Sequence, residues 1–283
     1  MKSRRWLLGG AAAAIAALVA ARPALGVRKL PPMGTPAPHA FAAEYTRLLA
    51  GVVRGGAVDW EKLASEWAPT VEQLYATLAE TGPDSTPSAF PDDDSRLAWA
   101  IDAYNLLVIV AVLRHWPLAG VGEVRGLIEP TAHFGFFYGL RLQVDGRWES
   151  LYRFERRLFA QFPDTRIHAA INCASVSCPP LLAVPFAGRP LGDALDGACR
   201  DWLRSPGVVT LRQADNTLLL PPLLGLYPDE FAADAARRGW GDTPGHWALG
   251  WLDEGRRGAL REALDEGATP VIPPYDWGIS RPA

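Results

Sequence analysis

The chain has 283 residues, 49% of them hydrophobic and 21% charged, which is enough length and apolar content for one large domain with a substantial core. Its net charge of −3 argues against a nucleic-acid partner held through phosphate contacts.

Residues 1–26 open Met-Lys-Ser-Arg-Arg-Trp-Leu-Leu, run without charge from Gly9 to Ala21, and reach the small-residue stretch Ala24-Leu25-Gly26. That pattern predicts an export signal peptide. Arg4-Arg5 ahead of Trp6-Leu7-Leu8 resembles the twin-arginine type, with an ordinary secretory signal as the alternative. The expected destination is the periplasm or the exterior. The apolar run is shorter than the ~20 residues a spanning helix needs, so no stable membrane span is expected after cleavage. Taking away Lys2, Arg4, Arg5 and Arg22 with the signal lowers the net charge of −3 to −7, which makes a nucleic-acid partner less plausible still.

Residues 27–39 hold Pro31, Pro32, Pro36 and Pro38 and read as an extended linker, leaving 40–283 as a single domain. Helical spacing runs from Phe41 to Leu49, and a second helical pattern starts at Val58-Asp59-Trp60 and is interrupted by Pro69. Residues 81–95 are rich in Pro, Asp and Ser and predict a loop. Asp94 or Ser95 then caps a long helix from Arg96 to Trp116, apolar on nearly every side except at Asp102 and Asn105. That polar pair suits the central helix of a globular core better than a membrane span, and it either braces backbone or lines a site.

A hairpin is expected from Phe136 to Glu149 around Asp145-Gly146, then a helix from Leu151 to Phe162 capped by Ser150 and carrying Glu155. Further helices are expected from Pro190 to Leu203, which includes a buried, inert Cys199, and at 229–238 and 254–266. A second hairpin is expected around Asp215-Asn216. Strands come in pairs rather than alternating with helices, which favours an α+β fold with a long buried central helix and antiparallel hairpins.

The chemistry is concentrated between Arg166 and Pro180. Residues 166–172 read as a short strand with His168, Ala170 and Asn172 on one face, which would set Cys173 at the strand end. A cysteine nucleophile needs a base and a group to orient that base, and His168 and Glu155 are available for those roles. Two other readings compete with it. His168, Cys173 and Cys178 are loosely spaced for zinc. Alternatively, Cys173 and Cys178 form a disulfide in an oxidising compartment. An odd cysteine count leaves at least one thiol free or paired with another molecule.

The chain resembles the family catalogued as domain of unknown function 547. The likeness rests on Ala103-Tyr104-Asn105, on Ser150-Leu151 with Glu155, on Arg166 to Pro179, and on Tyr275-Asp276-Trp277. It departs from that pattern at Asp102, where many relatives have asparagine. By analogy with cysteine hydrolases, the resemblance implies Cys173, His168 and Glu155 as a triad in a papain- or transglutaminase-like core. Cys173 is preferred over Cys178 because plant relatives lack the latter. Asn105, Asn172, Tyr104 and Ser175 are the expected supporting or oxyanion residues, with help from backbone N–H groups near Cys173. The expectation is thus an exported cysteine hydrolase acting on an amide, peptide-like or thioester bond, with a small peptide-like substrate and neither cofactor nor metal. The alternative is a non-catalytic periplasmic binding or assembly module.

Overall fold

The computed structural model describes residues 27–126 and 133–282, so the expected export signal at residues 1–26 lies outside the described residues. The organising element is the helix α3 (Asp93–Leu113), packed against α2 (Ala68–Glu80) and α4 (Leu151–Gln161). It starts and ends three residues earlier than expected, and its cap is Asp92, not Asp94 or Ser95, through a capping box in which the Asp92 carboxylate accepts from Ser95 N at 2.8 Å and the Ser95 hydroxyl accepts from Asp92 N at 3.3 Å. Every residue from Leu97 to Val112 is buried, which explains why the helix is apolar all round. The buried residues form one continuous cluster, and α1 (Phe41–Val52) packs into it through Tyr45, Leu48, Leu49 and Val52.

Asp102 sits inside this cluster and braces backbone. Its two carboxylate oxygens accept from Phe186 N and Ala187 N, each at 2.9 Å. Burial pushes its carboxyl up to about 7, against the pull of those two donors and of Arg189.

The segment expected as an extended linker packs onto the domain. Strand β1 (Arg28–Leu30) pairs in parallel with β2 (Leu140–Val144), which turns at Asp145-Gly146 into β3 (Arg147–Glu149). Arg114 donates to Pro31 O, and Ala37 N donates to Thr77 Oγ1, so prolines that lack donors still hold the domain through their neighbours. Asp145 and Gly146 have φ of 48° and 75°, the signature of a tight hairpin turn.

Two local expectations are corrected. Residues 135–139 form a wide helical turn instead of the start of a strand, with Phe136 buried in the core. Residues 166–172 are not a strand. Asp164 caps a 3-10 helix at Thr165–Ala169 by accepting from Arg166 N, and Arg166 is held by Asp164 and Asp196. Ile167 to Asn172 are all buried, so there is no exposed face for an alternating strand to present.

The remainder comprises α5 (Leu191–Arg204), the hairpin β4 (Thr210–Arg212) and β5 (Thr217–Leu219), α6 (Pro228–Arg237), α7 (Pro244–Gly250) and α8 (Glu254–Asp265). Strand β6 (Thr269–Val271) adds to β5 in parallel.

Candidate functional site

Residues 170–180 form a loop whose shape is set by two asparagines. Asn105, projecting from α3, donates through Nδ2 to Ala170 O at 3.0 Å and accepts from Asn172 N at 2.8 Å. Asn172 donates to Pro179 O at 2.7 Å and accepts from Ala174 N at 2.8 Å. Both amides are therefore occupied in positioning the loop. Ala174 is left at φ 64°, a left-handed conformation that costs a non-glycine residue about 1–2 kcal/mol. Strain of this kind directly after a thiol marks a loop held in place by its surroundings.

The C-terminal tail supplies the other wall. Ser280 N donates to Ala174 O, Val176 N to Gly278 O, and Ser177 N to Asp276 O, at 2.8, 2.9 and 3.2 Å. This pairing carries Tyr275 and Trp277 to the thiol. The Tyr275 hydroxyl lies 3.2 Å from Cys173 Sγ, and the Cys178 sulfur lies 3.0 Å from it. Cys173 N also donates to Cys178 Sγ at 3.0 Å.

These contacts divide the two thiols. Hydrogen bonding from Cys178, opposed by burial and helped by Ser175 and Tyr275, brings Cys173 below the ordinary thiol range. Ser175 contributes through proximity, since its buried Oγ has no hydrogen-bond partner of ordinary geometry. Burial and the neighbouring Cys173 sulfur push Cys178 up, so Cys178 keeps its proton. Burial raises the Tyr275 phenol as well, which keeps it a donor.

Cys173 is half-buried and opens into a cleft of about 370 Å³ lined by Glu155, His133 and a ring of aromatics that includes Tyr104, Tyr138, Tyr227 and Trp277. Larger clefts exist at Arg156 to Glu230, beside Gly120 and Arg125, and around Cys178 and Pro180, but Cys173 lines none of them. Glu155 reaches the cleft from the flank of α4 and accepts from the Tyr104 and Tyr227 hydroxyls at 3.1 and 2.7 Å.

His168 is placed differently from the expected triad. It is 2% exposed, stacked on Phe159 at 4.2 Å and tilted against Tyr227 at 4.3 Å between ring centroids, and its Nε2 meets Glu230 Oε2 at 3.0 Å. The hydrogen bond from His168 holds the Glu230 carboxyl below its ordinary range. Among the described residues no hydrogen bond joins His168 to Cys173 or to Glu155, and His168 does not line the cleft. The structure thus brings Cys173, Glu155 and Tyr104 together and sets His168 behind Tyr227. The three residues of the rival zinc reading form no cluster among the described residues, because His168 is turned to Glu230.

Of the expected backbone oxyanion donors, the Ser175 N–H is directed at the Cys173 sulfur and the others are occupied. The N–H groups of residues 173, 174, 176, 177 and 178 all donate within the protein. Sequence reasoning missed Glu230, Tyr227 and His133 as site residues. Tyr275-Asp-Trp277 was visible as a motif, but nothing local showed that it returns to Cys173.

The model of a family described as "Protein of unknown function, DUF547" matches residues 88–203, a span that contains Tyr104, Asn105, Glu155, His168, Cys173 and Cys178. No curated protein and no solved structure matches the chain.

Proposed function

Since the chain belongs to the family of unknown function 547, whose description names no activity, we propose from the chemistry of the site that it is an exported cysteine-dependent acyl hydrolase acting on an amide, peptide-like or thioester bond. The observation that carries this reading is Cys173, a thiol biased toward its thiolate by Cys178 and Tyr275 and open to an aromatic cleft. A papain- or transglutaminase-like centre is part of the proposal as a likeness of chemistry.

The Cys173 thiolate attacks the substrate carbonyl carbon and forms a C–S bond while the carbonyl oxygen takes up negative charge. The Tyr275 hydroxyl and the Ser175 N–H, both directed at the sulfur, are placed to donate to that oxygen. Collapse of the adduct expels an amine or thiolate, which takes a proton from His133, the imidazole on the cleft wall. Water then adds to the thioester, its proton returns to His133, and the acid leaves with the Cys173 thiolate restored. His168 and Glu230 support Tyr227 from behind.

The test is turnover of a panel of peptidyl thioesters and amides. Wild type is expected to hydrolyse at least one member, Cys173→Ala none, and His133→Gln about a hundredfold more slowly. Full turnover by Cys173→Ala would overturn the reading. A hundredfold loss in His168→Gln, with His133→Gln unaffected, would return the base role to His168.

One observation favours a second reading. Two sulfurs 3.0 Å apart can form an S–S bond if the compartment's oxidant takes two electrons and two protons are released. The chain would then be a non-catalytic module with a structural disulfide. Thiol titration in denaturant of protein recovered from the exported fraction decides this, with three thiols for the hydrolase and one for the module.

A further inference from the structure

The Cys173 cleft carries more acidic groups than basic ones among its described lining residues. Glu155 and the Cys173 thiolate both face it, and among the described residues neither Arg nor Lys lines it and His133 is the one imidazole, which offsets one of the two charges. Among the described residues no Arg or Lys pairs with Glu155. Its partners are two neutral phenols, each raised by burial first and then by the Glu155 charge, so they remain protonated donors. One hydrogen bond per carboxylate oxygen leaves further acceptor capacity on both.

Tyr138, Tyr227 and Trp277 line the same cleft as this carboxylate. Tyr138 and Tyr152 stack at 4.3 Å, and Trp277 is fixed by His133 at 4.3 Å and Tyr275 at 4.4 Å, so the walls are preformed. A carboxylate in a cleft walled by aromatic rings is the chemistry that recognises an organic cation, since the fixed charge and the electron-rich rings both attract it.

We infer that the cleft beside Cys173 is a cation subsite, and that Glu155 selects acyl substrates bearing a protonated amine or quaternary ammonium close to the scissile carbonyl. Glu155 is then a specificity-determining residue and has no part in orienting an imidazole. The inference deepens the acyl-hydrolase reading and rests on it for the word substrate, but the subsite itself does not require catalysis.

Two measurements on the reduced full chain separate the two ideas. The first is calorimetric binding of n-butylammonium, 1-butanol and butyrate, probes of one size with different charge. The second is the rate at which Cys173, identified by peptide mass spectrometry, reacts with a trimethylammonioethyl and a sulfonatoethyl methanethiosulfonate. The ratio of those two rates cancels the thiolate fraction.

The expected result is saturable binding of butylammonium alone. The cation-to-anion rate ratio at Cys173 should also exceed that of free 2-mercaptoethanol by about tenfold or more. Glu155→Gln is expected to abolish the binding and bring the ratio within about threefold of the free thiol, and Glu155→Asp to restore both in part. Equal binding of the three probes, or a ratio unchanged in a folded Glu155→Gln, overturns the subsite even if Cys173 reacts readily. Butylammonium binding with an inert Cys173 supports the subsite and overturns the hydrolase.

Discussion

Cys173 gains its character from one neighbour in sequence and one residue far away. Tyr275 is 102 positions downstream and Cys178 five, and both contact the same sulfur. Removing either donor should raise the midpoint of Cys173 reactivity with pH. Cys178→Ala should have the larger effect, because its hydrogen bond is the leading cause of the lowered pKa. Iodoacetamide rates across pH 6–10 read both shifts. An unmoved midpoint in Cys178→Ala would remove the basis for treating the pair as nucleophile and donor. His168 behaves as a packed side chain paired with an acid at its rim, and Glu230→Gln should leave the Cys173 alkylation rate within about twofold, since neither residue reaches the thiol. The thiol, the adjacent Asn172 and the Glu155 position were visible in the sequence because they sit in compact motifs. The carboxylate that His168 meets was not, because Glu230 lies 62 positions away on α6 with no local pattern to mark it.

At the level of elements, α3 and the C-terminal tail clamp the cysteine loop from opposite sides. Asn105 holds both Ala170 O and Asn172 N, so Asn105→Ala leaves two buried backbone groups unpaired. A loss of about 2–4 kcal/mol is expected by urea denaturation, together with slower Cys173 alkylation. A stability change below about 0.5 kcal/mol would show that the loop holds its shape without the clamp. The long helix, its polar pair and the Ser150-capped helix were legible because apolar periodicity and capping signals are local. The 3-10 turn at Thr165–Ala169 was not legible, because the β-forming residues there are overruled by the Asp164 cap and by the fixing of Arg166 between two acids. The docking of residues 28–30 was hidden for a similar reason, since its partners are a strand and a tyrosine contributed by other parts of the chain.

Across the whole molecule, Asp102 places an ionisable group in the middle of the core. Its carboxyl is raised from 3.8 to about 7, so the folded chain holds a proton that the unfolded chain releases between those values. The Asp102 contribution to stability is therefore most favourable below pH 3.8, declines as pH rises toward 7, and is constant above that. Asp102→Asn should remove this dependence, so the stability gap between variant and wild type changes by a few kcal/mol between pH 4.5 and pH 8, in the direction that favours the variant at pH 8. Paired urea titrations at the two pH values measure it, and a gap independent of pH would show that Asp102 titrates normally. The same helix that carries Asp102 carries Tyr104 and Asn105, so the core and the site share one support. The most direct test of the central claim is the pH profile of Cys173 alkylation in the reduced wild-type chain, followed at the level of the modified peptide. A midpoint well below the ordinary thiol value of about 8.5, with Cys178 modified later or not at all, is the predicted result. A midpoint at or above that value, or Cys178 reacting first, would contradict it.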